Sequence, residues 1–82
     1  TIDRMIVEII TPETALYTGE ASFVYLPGSD GSLGVLNNHA PLISSLKKGT
    51  VRVTDNAGKE HKFDVKGGTV EVFNNKVIIL AD

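Results

Sequence analysis

Eighty-two residues hold one small domain, with ten acidic and eight basic side chains, a net charge of −2 and no cysteine. Disulfides, thiolate zinc sites and a cysteine nucleophile are therefore excluded. The basic stripe of a nucleic-acid binder is missing, and the longest wholly apolar run, Val77 to Ala81, is far short of the ~20 residues of a membrane-spanning helix. Nine Val, seven Ile and seven Thr outnumber five Ala, seven Leu and one Met. Branching at Cβ suits a pleated surface better than a helix. Eight Gly and three Pro punctuate the chain too often for a helix of ordinary length. The expected class is all-β.

In chain order, Met5 to Ile10 alternates Met5, Val7 and Ile9 against Ile6, Glu8 and Ile10, which predicts a strand ended by Thr11-Pro12-Glu13. Ala15 to Tyr17 is a short extended piece closed by Gly19, and Ala21 to Leu26 is a strand. Pro27-Gly28-Ser29-Asp30-Gly31 reads as a loop, followed by an extended run from Leu33 to Leu36. Asn37 to Pro41 is a turn. Beyond it Leu42, Ile43 and Leu46 have no assignable period.

The second half is more regular. Thr50 to Thr54 alternates as a half-buried strand, Asp55 to Gly58 makes a hairpin loop, and His61, Phe63 and Val65 alternate with charged residues. Gly67-Gly68 reverses or bulges the chain. Val70 and Val72 alternate with Glu71 and Phe73, Asn74-Asn75 forms a two-residue turn, and Lys76 to Leu80 is expected as a strand buried on both faces. Strands of this length at this spacing predict a sandwich or barrel.

Chemistry is scarce. His39 and His61 lack the spacing of a helical metal site, and alternation of His61 with Phe63 and Val65 points to a hydrogen-bonded sheet residue. His39 sits in a turn, where its ring satisfies backbone groups or meets a partner. No G-x-S-x-G elbow accompanies the serines, and Gly28, Gly31 and Gly34 match no phosphate-binding pattern. The residues themselves point to a non-catalytic scaffold or interaction module that needs no cofactor and no metal.

A resemblance narrows this. Ile9-Ile10-Thr11-Pro12-Glu13 with Tyr17-Thr18-Gly19-Glu20, then Val24-Tyr25-Leu26-Pro27-Gly28, is similar to the opening of the epsilon subunit family of rotary F-type ATP synthases. Gly31-Ser32-Leu33-Gly34-Val35-Leu36 and His39-Ala40-Pro41-Leu42 resemble the family's most specific signature. Gly67 to Val72 and Asn75 to Asp82 resemble its closing hairpin. Asn37-Asn38 stands where the family often has Pro-Gly, and Ser32 where it often has an acidic residue.

The resemblance implies a flattened ten-stranded β-sandwich of short antiparallel strands across residues 1–82, without the C-terminal helical hairpin of most members. The chain is then either a naturally short form or the N-terminal domain alone. It implies a non-catalytic central-stalk subunit that joins gamma to the c-ring and couples proton flow to ATP synthesis. It would sit peripherally on the cytoplasmic face of a bacterial plasma membrane, or on a thylakoid membrane. By carry-over, Ser29, Asp30, Gly31 and Ser32 meet the c-ring, with His39 on the adjoining turn. Ile6, Ile10 and Tyr25, opposite the apolar faces chosen for their strands, are the expected gamma contacts. The alternative from a different class is a small all-β ligand- or peptide-binding module.

Overall fold

Period-two alternation becomes nine strands in the computed structural model, which describes residues 4–82. They are β1 (Met5–Ile10), β2 (Ala15–Ala21), β3 (Phe23–Gly28), β4 (Gly31–Leu36), β5 (Leu42–Leu46), β6 (Gly49–Thr54), β7 (Glu60–Val65), β8 (Gly68–Phe73) and β9 (Lys76–Ala81). A tenth strand has no room among the described residues, because no connection exceeds five residues. Asn74 and Asn75 take positive φ of 50° and 58°, as a tight hairpin turn between β8 and β9 requires.

Three local readings change. The piece starting at Ala15 does not stop at Gly19, because Gly19 pairs with Val7 and the ladder continues to Ala21. The strand expected from Ala21 to Leu26 breaks at Ser22, whose N–H donates to Thr54 O at 2.8 Å. Pro27 and Gly28 are buried members of β3 rather than loop, so the turn shrinks to Ser29 and Asp30.

The hydrogen-bonded order is β2-β1-β9-β8-β5-β3-β6-β7, with β4 on the other edge of β3. Pairing is antiparallel except between β1 and β9, which corrects the all-antiparallel expectation. Eight successive reversals leave β1 and β9 running the same way, so as neighbours they pair in parallel.

The sheet folds on itself at β3. Phe23 to Tyr25 pair with β6, whereas Gly28 pairs with Leu46 of β5. Lys47 N–H donates to Pro27 O at 2.9 Å and Ser29 N–H to Ser45 O at 3.0 Å, which extends this corner by a residue on each side. Gly28 is required there, since a Cβ on it would collide with the carbonyl oxygen of Gly31.

Sixteen hydrophobic side chains form one buried cluster, and among the described residues no polar side chain is buried with them. Every valine of the chain belongs to it, against only Leu26 and Leu46 of the leucines. The stiff branched side chains fill the inward rows, where the pleat suits them.

The two strands at the ends of the order, β2 and β7, meet through side chains. The Tyr17 ring lies 5.3 Å from the His61 ring and 5.8 Å from that of Phe63, centroid to centroid. The result is an all-β, mostly antiparallel and nearly closed body of 36 × 23 × 19 Å. Its connections gather at two ends. One carries residues 11–14, 29–30, 47–48 and 66–67, and the other residue 22 with 37–41, 55–59 and 74–75.

Alternation along β9 is directly testable. Ile79 is fully buried and Leu80 is 51% exposed. Ile79→Ala is expected to cost about 3 kcal/mol and Leu80→Ala less than about 1 kcal/mol in urea unfolding. Equal losses would contradict the inward and outward assignment.

Candidate functional site

Strands that alternate around a core send every second residue outward, and on one half of the sheet those residues are unusually apolar. The register of β1, β9, β8 and β5 aligns Glu8, Ile78, Glu71 and Ile43 in one row. A second row holds Ile10, Leu80, Thr69 and Ser45, and a third holds Ile6, Lys76 and Phe73. Ile43 is 78% exposed, Phe73 55% and Leu80 51%. These three side chains lie one in each row, on the neighbouring strands β5, β8 and β9, and exposed apolar side chains on one face are the feature that marks candidate interaction surfaces. The expectation that Lys76 to Leu80 is buried on both faces is therefore corrected: Leu80 is exposed and Ile78 half-buried.

This face carries two carboxylates. Glu8 meets Lys76 across the β1–β9 pair, with Nζ 3.3 Å from Oε1. Glu71, between Ile43 and Ile78, is exposed.

The expected partner residues do not form one surface. Ile6 and Ile10 lie on the apolar face and are half-buried. Tyr25 points outward from the other part of the sheet, where its hydroxyl lies 2.7 Å from Ser32 Oγ and the Arg52 guanidinium 5.5 Å from its ring centre. Ser29 and Asp30 form the exposed tip of the β3–β4 hairpin, and Gly31 and Ser32 begin β4. Ser45 Oγ–H donates to Ser29 Oγ at 2.9 Å, which ties this tip to β5.

His39 is not adjacent to that tip. It follows β4 at the opposite end of the strand, in the turn joined to Asn75, whose Oδ1 accepts from Asn38 N–H at 2.8 Å. Its ring Nδ1–H donates to Ala40 O at 2.7 Å, so the turn-fixing reading describes it. Sequence reasoning missed Ile43, Phe73, Ile78 and Leu80 as surface residues. Only the alternation of Phe73 against Val72 carried a signal for them.

His61 is a hydrogen-bonded sheet residue, as its pattern suggests. Its Nε2–H donates to Asp55 Oδ2 at 2.9 Å, and Asp55 Oδ1 accepts the N–H groups of Ala57 and Lys59, each at 2.9 Å. The His61 bond, then that from Lys59, holds the Asp55 carboxyl below its ordinary 3.8 despite partial desolvation. Burial, and secondarily the Asp55 charge, raises the Tyr17 phenol above its ordinary 10.0. This cluster locks the hairpin loop against the seam between β2 and β7. Among the described residues no three His, Asp or Glu side chains gather to hold a metal ion. No helix there is long and apolar enough to cross a membrane.

The fold defines a small all-β domain with a partly apolar outer sheet face. The chain is a member of the ATP synthase delta/epsilon chain beta-sandwich domain family, whose sequence model matches residues 4–82. It is 53% identical over 74 residues to the ATP synthase epsilon chain of Desulfitobacterium hafniense, covering 90% of this chain and 55% of that one. With the epsilon chain of Desulforamulus reducens it shares 48% over 75 residues, or 92% of this chain and 56% of the relative. The chain thus spans about half the length of these relatives.

The fold recurs in a chain of the Euglena gracilis mitochondrial ATP synthase, solved as an OSCP/F1/c-ring assembly. The TM-score is 0.90 at 20% identity, over 98% of this chain and 51% of that chain. It recurs again in the central stalk and c-ring structure of the Tetrahymena thermophila mitochondrial ATP synthase. There the TM-score is 0.78 at 21% identity, over 99% and 66% of the two chains.

The lowered Asp55 pKa has a definite sign. A depressed carboxyl stabilises the fold above its unfolded value, and that contribution is lost as pH falls through the folded value. In urea unfolding at a series of pH values, the advantage of the wild type over Asp55→Asn should shrink between about pH 5 and pH 2. A constant difference across that range would show that Asp55 titrates alike folded and unfolded.

Proposed function

We propose that this domain is a non-catalytic element of the central stalk of a proton-translocating F-type ATP synthase. It would join gamma to the c-ring and couple proton flow to ATP synthesis. The observation that carries this reading is the apolar outer face, with Ile43, Phe73 and Leu80 each more than half exposed. Membership in the delta/epsilon family supports it, as does the likeness of fold to chains from assemblies that contain a c-ring.

In this reading the two halves of the curled sheet are the layers of a flattened sandwich. The face holding Ile6 and Ile10 docks gamma. Tyr25, on the other half, braces the β3–β4 hairpin through Ser32 instead of meeting gamma. The tip formed by Ser29, Asp30, Gly31 and Ser32 meets the polar loops of the c-ring, where an exposed two-residue turn allows close approach at little entropic cost. His39, at the far end of β4, stays outside that contact. The domain would sit peripherally, on the cytoplasmic face of a bacterial membrane.

The test uses the chain tagged and co-expressed with the gamma chain and proteolipid of its own synthase. Ile10→Asp and Leu80→Asp should abolish recovery of gamma while leaving the thermal midpoint of the free domain within a few degrees. The chain has no native cysteine, so single cysteines report cleanly. Asp30→Cys or Ser32→Cys should cross-link to a cysteine in the proteolipid loop, and His39→Cys should not. Cross-links from position 39 alone would invert the orientation, and a wild-type chain that recovers neither partner would refute the role.

A further inference from the structure

Glu71 is placed where a covered apolar surface has no use for an unanswered charge. Its Cα partners are Ile43 on β5 and Ile78 on β9, so apolar side chains flank it on both sides in its own row. The other carboxylate of the face, Glu8, already has its counter-ion in Lys76. Among the described residues the ion pairs involve Arg4, Lys62, Lys76 and His61 with other carboxylates, and none reaches Glu71. Beside Glu71 runs an open groove of about 350 Å³, lined by Pro41, Leu42, Ile43, Val72 and Phe73 as well.

We infer that the protein surface docking on this face delivers an arginine into that groove, with its guanidinium against the Glu71 carboxylate. Covering an unpaired carboxylate with apolar surface is costly, because the charge loses its water and gains nothing. A partner matched to the face therefore brings a cation to this point. Arginine fits better than lysine. Its planar fork donates to both carboxylate oxygens at once, and its aliphatic stem lies along apolar neighbours such as Ile43. The exposed Phe73 ring at the groove wall offers a further face for a guanidinium. Glu71 is then a specificity residue: it admits a surface with a cation in register and rejects one that is apolar or acidic there.

This inference rests on the docking role proposed above for the face. The gamma chain of the same synthase is the probe, and its dissociation from the full chain is measured at several salt concentrations. Glu71→Gln should weaken binding roughly 30-fold, mainly through faster dissociation, and reduce the salt dependence. Glu71→Arg should bind more weakly still, and should be rescued by Arg→Glu at the facing gamma position. Glu60→Gln, on the outward side of β7, is the control for a general charge effect. Unchanged thermal midpoints confirm that the variants fold.

If Ile78→Asp abolishes binding while Glu71→Gln changes nothing, the face docks but Glu71 faces solvent in the complex, and the inference is overturned alone. If Ile78→Asp also leaves binding intact, the docking role falls and this inference with it. Loss in both variants together with the charge-swap rescue supports it.

Discussion

The corner where Gly28 of β3 meets Leu46 of β5 is the contact on which the rest of the structure depends. A chain with no helix among its described residues has one way to hide its apolar sheet face, which is to turn the sheet against itself. That turn happens where β3 passes from β6 to β5 as its neighbour. Pro27 fits there because it has no N–H to waste, while its carbonyl still accepts from Lys47. Gly49 faces Pro27 so closely that an added Cβ would lie 2.8 Å from the proline Cβ. The corner is sterically full, and only glycine fits opposite the ring.

Once the sheet has turned, the remaining gap between β2 and β7 is closed by side chains rather than by a ladder. Tyr17 spans it, resting on His61 and Phe63 with its hydroxyl donating to Glu20 O at 3.1 Å. Asp55 holds His61 in place from the neighbouring loop. Valines fill the inside and aromatic rings close the seam, so the body is packed from core to edge. With the core satisfied internally, the apolar residues left on the outer face of β5, β8 and β9 contribute nothing to its packing. The mixture on that face, one carboxylate already paired and one not, gives it chemical direction as well as greasiness.

Much of this was legible in the residues. Met5 to Ile10, Thr50 to Thr54 and Val70 to Phe73 alternate cleanly, and the structure buries the row that the alternation selects. β5 was illegible because its inward positions are Leu42, Ser44 and Leu46 and its outward ones Ile43 and Ser45. A serine inside and an isoleucine outside cancel the period, and that isoleucine is the most exposed large hydrophobic of the candidate face. β9 was misread for a related reason: in a run of five apolar residues, composition does not say which side meets water. His39 was joined to the hairpin tip by closeness in sequence. A six-residue strand between them carries the two to opposite ends.

The amino-acid sequence by itself determined the class of fold, the positions of most strands and the family. Those follow from local quantities: branching at Cβ, period-two alternation, turn-forming residues and an ordered set of short motifs. Tertiary structure alone decided that β1 and β9 run side by side, that the sheet turns at Gly28, and that Ile43, Glu71 and Ile78 share one outer row. Side-chain period says only that neighbours face opposite ways. Which way is out depends on register between strands distant in the chain, and that register is set by how the whole sheet closes around its core.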